Sequence, residues 1–273
     1  MSITLIAKNI QANGIKVSYL EEGPPGGLPL IFIHGFPFSK AMWEKQLTSL
    51  VETHRCIAYD VRGHGDSEPG EAQFSIAQFA DDLFFFMDAL KIEKAIIIGL
   101  SMGGYIALHA IQKQPQRIAG LILCDTQCAG DSDEAREKRK KAIAFIQKNG
   151  LSVYAEESLK NLFAPASLIN KIDEVSFIHN TILKTQAKNI CFTLQALADR
   201  KETCSYLPQI KVPVCILVGS EDKVTTPEVA RNMHALIQGS ILHSIEGAGH
   251  LSNLENPEQF NEHIKLFLKN VAS

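Results

Sequence analysis

The stretch AIIIGLSMGGYIALHA, residues 95–110, opens as a β-branched apolar run and closes as an alanine-rich helical pattern. An uncharged run of that length reads as a buried strand, and the periodic pattern after it as a helix. A single hydroxyl, Ser101, stands at the junction, with glycines at 99, 103 and 104. Gly99-Leu100-Ser101-Met102-Gly103 fits G-x-S-x-G in the strand–turn–helix context that motif requires. Glycines two positions to either side remove Cβ atoms that would collide in so sharp a turn, so the hydroxyl projects above the sheet edge. It also sits at a helix N-terminus, whose free N–H groups favour developing negative charge. Capping the helix is the plainer task for a serine there, and the choice rests on the remainder of the chain.

Outward from this stretch, short apolar strands alternate with amphipathic helical patterns. The strands expected are 30–33, 55–59, 95–99, 120–125, 214–219 and 241–245, and the helices lie near 40–50, 75–90, 102–113, 227–237 and 257–270. Before them, ITLIAKNIQANGIKVSYLEEG reads as two strands around an Asn13-Gly14 hairpin turn. Such alternation implies a mostly parallel sheet with helices on both faces. Right-handed crossovers then bring the strands' carboxyl ends to one edge, where ligands bind. From about residue 130 to 200 the pattern turns helical with no convincing strand. DSDEAREKRKKAIAFIQKNG, SVYAEESLKNLFAP and LKTQAKNICFTLQALADR supply the helices. This insertion is expected to cover the catalytic edge as a cap, with a core of 1–129 and 201–273 in a single domain.

Composition narrows the function classes. In 273 residues, 45% are hydrophobic and 21% charged, and the net charge of −3 offers no electrostatic case for nucleic acid. No apolar run approaches the roughly 18 residues of a membrane span, and the start MSITLIAKNIQANG lacks the form of a secretory signal. The six cysteines, at 56, 124, 128, 191, 204 and 215, include no CxxC pair. They read as reduced, mostly buried residues of a cytoplasmic protein.

A serine hydroxyl becomes a nucleophile when a base takes its proton, and a histidine held by a carboxylate is the usual base. His250 lies in EGAGHLSNLENP, between the last strand and the last helix, and Asp222 lies in VGSEDKVTTP just after strand VCILVG. The candidate catalytic set is Ser101, Asp222 and His250. Asp125, after strand LILC, is the rival acid, and Asp60 reads as an anchor for the DVRGHGDS loop. His34 and His64 precede glycines in turns and read as structural. An oxyanion site needs two preplaced donors. The N–H of Met102 follows the nucleophile, and Phe36 in HGFPFS supplies the second, because Pro37 has no N–H.

With HGFP at 34–37, DVRGHGDS at 60–67, GLSMGG at 99–104, VGSEDKVTTP at 218–227 and GAGH at 247–250, the chain resembles the α/β-hydrolase superfamily over nearly its whole length. The resemblance implies an eight-stranded, mostly parallel sheet, a helical cap after the sixth strand, and a Ser-Asp-His triad working without cofactor or metal. Within the superfamily the chain looks most like the small esterase and enol-lactonase group. The function expected is hydrolysis of small or medium carboxylic esters through an acyl-enzyme. Enol-lactone or C–C bond hydrolysis on the same triad is the alternative, and a slow, receptor-like ligand binder the further one.

The expected partner is a small-molecule ester or lactone, with neither nucleic acid nor membrane. A homodimer and an acyl carrier protein are the macromolecular options, the second resting on the basic cluster Arg136, Lys138, Arg139, Lys140 and Lys141, which otherwise reads as a solvated helix face. The substrate pocket is expected to be apolar, with Phe38, Trp43, Phe145, Leu162 and Phe163 as candidates beside Phe36 and Met102.

Overall fold

A computed structural model describes residues 5–71 and 74–271. Ile3 and Thr4, where the first strand is expected to start, and the terminal Met1 and Ser2 lie outside the described residues. Eight strands form one sheet: β1 (Ala7–Ala12), β2 (Ile15–Glu22), β3 (Leu30–Ile33), β4 (Cys56–Tyr59), β5 (Ala95–Leu100), β6 (Ile118–Cys124), β7 (Val214–Gly219) and β8 (Ile241–Ile245). Their spatial order is β1-β2-β4-β3-β5-β6-β7-β8. β1 and β2 pair antiparallel, as do β2 and β4, and every other pair is parallel. The hairpin turns at Asn13 (φ 48°) and Gly14 (φ 75°), the two left-handed residues that a type I′ turn demands.

Strands β3, β4, β5 and β7 are buried at every position, as continuous apolar strands covered on both faces must be. One face packs on α2 (Ile76–Ala89), α3 (Met102–Lys113) and α9 (Pro227–Leu236), through residues such as Phe79, Phe86, Ile106 and Met233. The other packs on α1 (Glu44–Leu50) and α11 (Pro257–Val271), through Leu47, Phe260, Ile264 and Phe267. The order reverses at β3, so the chain leaves β3 and β5 in opposite directions across the sheet. The crevice thus opened at their carboxyl ends is the expected ligand position.

Between β6 and β7 run five α-helices, α4 (Asp133–Asn149), α5 (Leu151–Leu162), α6 (Pro165–Asn170), α7 (Ile172–Lys184) and α8 (Ala187–Ala198), and then a 3-10 helix over Cys204–Gln209. The helical character of this segment is legible from sequence, whereas α6 and α7 are not resolved there as separate helices. Ile146, Ile178, Ile182, Ile190 and Leu194 join the same core cluster as α1 and α11, so these helices share the apolar interior of the sheet domain. Among the described residues no helix is long and apolar enough to cross a membrane.

One sequence-based expectation fails here. Cys128 and Cys204 form a disulfide, with Cα atoms 4.8 Å apart, while Cys56, Cys124, Cys191 and Cys215 are free. The two partners stand 76 residues apart and look unpaired in the sequence, yet they flank the helical insertion at its entry and exit. There the chain returns to the sheet, and the Thr203 N–H donates to the Cys128 carbonyl at 2.8 Å. Cysteine usage therefore no longer argues for a reducing compartment. Burial lifts the thiols of Cys56 and Cys215 to about 12, which suits their part as small hydrophobes. Cross-linking so long a loop restricts the unfolded chain, so reduction, or Cys128→Ser with Cys204→Ser, is expected to cost about 2–4 kcal/mol. A urea melt with and without dithiothreitol checks this, and coincident curves would count against the bridge.

Candidate active site

Ser101 stands between β5 and α3 with φ 52° and ψ −112°, a strained conformation for a residue with a side chain. The turn is tight enough that a Cβ on Gly99 would lie 2.3 Å from the Gly103 carbonyl oxygen. A Cβ on Gly103 would lie 2.2 Å from the Ile33 carbonyl oxygen. Both obstacles are backbone, so neither position admits alanine without moving a strand. The serine does not cap α3 through its side chain. Its Oγ lies 2.8 Å from His250 Nε2 instead.

His250 is carried on the loop between β8 and the short helix α10 (Ser252–Glu255). Its N–H donates to the Leu162 carbonyl at 2.9 Å, which ties the loop to the end of α5. Glu255 adds a second tie by accepting from the Gly249 N–H (2.9 Å) and the Ala164 N–H (2.8 Å). His250 Nδ1 is 2.8 Å from Asp222 Oδ2. Asp222 also accepts from the N–H groups of Val224 (2.7 Å) and Thr225 (3.0 Å) and from the Thr225 hydroxyl (2.7 Å). Burial by itself would raise the Asp222 pKa, but the facing imidazole and these donors outweigh it and hold the carboxyl below its ordinary range. For His250, burial pulls downward, and the Asp222 charge and hydrogen bond prevail and raise it above 6.5.

Asp125, the rival acid, has φ 44° and is fully buried. Its Oδ1 accepts from the Gly219 N–H at 2.8 Å and its Oδ2 from the Ser252 hydroxyl at 2.5 Å, and no hydrogen bond joins it to His250. Burial, followed by the neighbouring Asp222 charge, pushes its pKa well up. It joins the last residue of β7 to the start of α10, so it braces the elements that border the loops carrying Asp222 and His250. Asp60 braces in the same way, accepting from the Lys40 N–H and Nζ and from the Asp66 N–H at 2.6, 2.7 and 2.9 Å. His34 and His64 are buried beside it, lowered by burial to about 4 and about 3, and therefore neutral.

A cleft of about 190 Å³ opens at Ser101, lined from the sheet side by Phe36, Pro37, Ser101, Met102, Tyr105, Val224 and His250. Arg139, Tyr154, Ser158, Asn161, Leu162 and Leu197 line it from the helical insertion. The backbone N–H groups of Phe36 and Met102 have no acceptor among the described residues. Of the pocket residues expected from sequence, Leu162 lines this cleft and the other four do not. Trp43 and Phe38 are fully buried in the core, because a short 3-10 turn over Lys40–Trp43 folds Trp43 between Phe32 (5.2 Å) and Phe260 (6.2 Å). Phe163 is also core, fully buried at the extended residue that ends α5. Phe145 is 39% exposed on the outer face of α4.

The cleft is consequently less apolar than expected. Tyr105, Tyr154, Ser158 and Asn161 supply polar groups that no motif announces, and Arg139 was legible only as one of a basic run. Among the described residues no three histidine, cysteine or carboxylate side chains are grouped as metal ligands would be.

A mostly parallel sheet with a serine at this turn, an acid after β7 and a histidine after β8 defines a class, and the chain belongs to it. Residues 29–257 match the family model of the alpha/beta hydrolase fold. Among curated proteins it is similar to 3-oxoadipate enol-lactonase 2 of Acinetobacter baylyi, at 26% identity over 95% of this chain and 96% of that one. Enol-lactonase 1 of the same organism shows 28% identity over 94% and 95% of the two chains. Among solved structures, a thermophilic esterase from Thermogutta terrifontis, determined with malate bound, superposes with a TM-score of 0.92 at 31% identity, over 98% of this chain and all of that one. The enol-lactonase from Burkholderia xenovorans superposes at 0.89 with 26% identity, over 96% and 100%.

Proposed function

We propose that the protein is a serine hydrolase of carboxylic esters, lactones included, acting through an acyl-enzyme on Ser101. The observation that carries this reading is the unbroken relay from Ser101 Oγ to His250 Nε2 and from His250 Nδ1 to Asp222, at 2.8 Å in each step. His250 Nε2 takes the Ser101 proton as Oγ bonds to the substrate carbonyl carbon. The Phe36 and Met102 N–H groups receive the resulting oxyanion. Collapse of the tetrahedral adduct breaks the ester C–O bond, and His250 protonates the departing alkoxide. In a lactone that oxygen remains tethered to the acyl group. Water then gives a proton to His250 as its oxygen bonds to the acyl carbon, and the acyl–Oγ bond breaks as His250 returns that proton to Ser101, releasing the acid. The kinship with named esterases and enol-lactonases supports both substrate types, and a panel of p-nitrophenyl esters and lactones followed by pH-stat tests the reading.

The base must be neutral to act, and His250 has a raised pKa. Lowering the pH therefore protonates it early, and the acid limb of kcat/KM for a neutral ester is expected above pH 6.5. Asp222→Asn should move that limb downward, because the charge that raises His250 is gone. A limb below 6.5 in the unaltered enzyme, or one that Asp222→Asn leaves in place, would contradict the raising of His250 by Asp222.

A further inference from the structure

Resting on the serine-hydrolase reading, we propose that the preferred substrate is an ester or lactone bearing a second, free carboxylate, bound by Arg139 beside Ser101. Arg139 comes from α4 and lines two adjoining spaces, the cleft at Ser101 and an outer chamber of about 510 Å³. Tyr105, Tyr154, Asn161 and Val224 line both spaces as well, so one ligand can extend from Ser101 past Arg139 into the chamber.

The charges around Arg139 leave a positive surplus. Its Nε and Nη2 are held by Asp131, and Arg200 bonds the same carboxylate. Two guanidinium groups thus share one acid. Arg200 is almost fully buried, stacks on Tyr105 with its carbon 4.4 Å from the ring centre, and lines neither space. Arg200 Nη2 is also without an acceptor but is sealed in the protein, so the open share of the surplus charge is at Arg139, whose Nη1 has no acceptor among the described residues. Lys138 and Lys223 add positive charge at the chamber wall, and Asp131 is its one acidic lining residue among those described. Asp131 remains ionised, since the two arginines outweigh the burial that would raise it. A planar guanidinium fixed on one edge and open on the other suits a carboxylate, which takes paired N–H donors in one plane. A purely structural arginine tying α4 to Asp131 would have no need to face both spaces.

The test pairs two substrates of equal chain length, p-nitrophenyl hexanoate and mono-p-nitrophenyl adipate, on wild type, Arg139→Met and Arg139→Lys. Wild type is expected to prefer the adipate monoester. Arg139→Met should lower the ratio of kcat/KM values, acid ester over neutral ester, by about 10- to 100-fold, as for loss of a charge-assisted pair. Arg139→Lys should recover part of it. A general loosening of the fold would depress both substrates and leave the ratio in place. Free adipate should inhibit hexanoate hydrolysis competitively in wild type and less in Arg139→Met. Calorimetric binding of adipate to Ser101→Ala, with and without Arg139→Met, reads the carboxylate site without turnover. If Ser101→Ala still hydrolyses both esters, the serine reading falls and the binding result stands by itself. A substrate ratio that Arg139→Met leaves within about twofold, or adipate binding insensitive to Arg139, would overturn the carboxylate proposal.

Discussion

Ser101→Ala is expected to lower kcat for p-nitrophenyl esters by about 10⁴- to 10⁶-fold, the range seen when a catalytic serine is removed from a relay of this kind. The residual rate would come from the oxyanion donors and from binding. Folding should survive, because alanine meets the same φ of 52° with a smaller side chain and no capping bond is lost. The cost to the fold is one hydrogen bond at His250 Nε2, about 1 kcal/mol, or a few degrees in the thermal midpoint. Steady-state kinetics at saturating ester together with a circular dichroism melt separate the two effects. Retained turnover with an intact melt would remove Ser101 from the mechanism.

Asp222→Asn and Asp125→Asn should differ by orders of magnitude although both acids are buried at the same sheet edge. An asparagine at 222 can still accept from Val224 and Thr225 through its amide oxygen. It then turns its NH₂ toward His250 Nδ1, which forces the wrong tautomer and withdraws the charge that steadies the imidazolium. A fall in kcat of about 10⁴-fold is expected. Asp125 sits in an environment that favours its neutral form, and an amide can replace it against Gly219 and Ser252. A loss within about tenfold, equivalent to some 1.4 kcal/mol, is expected there. Measuring kcat for both variants on one ester decides the matter, and the reverse order would transfer the acid's part to Asp125.

Much of the sheet was legible because each strand is short, β-branched and flanked by turn residues. LIFI and VCILVG have the same bounds in the sequence reading as β3 and β7 do in the fold. β6 begins earlier than expected, at Ile118, because pairing with β5 continues across a register shift near Ala95 and Ile96. The helices α6 and α7 were less legible. Asn170-Lys171-Ile172 contains neither proline nor glycine to mark the break, and the chain turns there at Lys171 through backbone geometry alone.

The pocket was the least legible part, and the reason is physical. Apolarity is shared by core and cleft, so Trp43, Phe38 and Phe163 could not be told from cleft residues without knowing which way a 3-10 turn or an extended residue faces them. Arg139 carried the opposite ambiguity. In a run of basic residues it resembles solvated charge, and only the packing of α4 against Asp131 and Arg200 brings it to Ser101.

By itself, the sequence determined the alternation that makes a parallel sheet, the glycine-flanked turn that lifts Ser101 off it, and the loops that bear Asp222 and His250. Those properties are local, written in periodicity and in the few residues that tolerate a strained turn. Tertiary structure alone decided which nitrogen of His250 meets which oxygen, that Asp125 braces instead of facing the imidazole, that Cys128 bonds Cys204, and that an arginine stands within the cleft. Each of these joins groups tens of residues apart, and a chain's own spacing does not encode the distance between them.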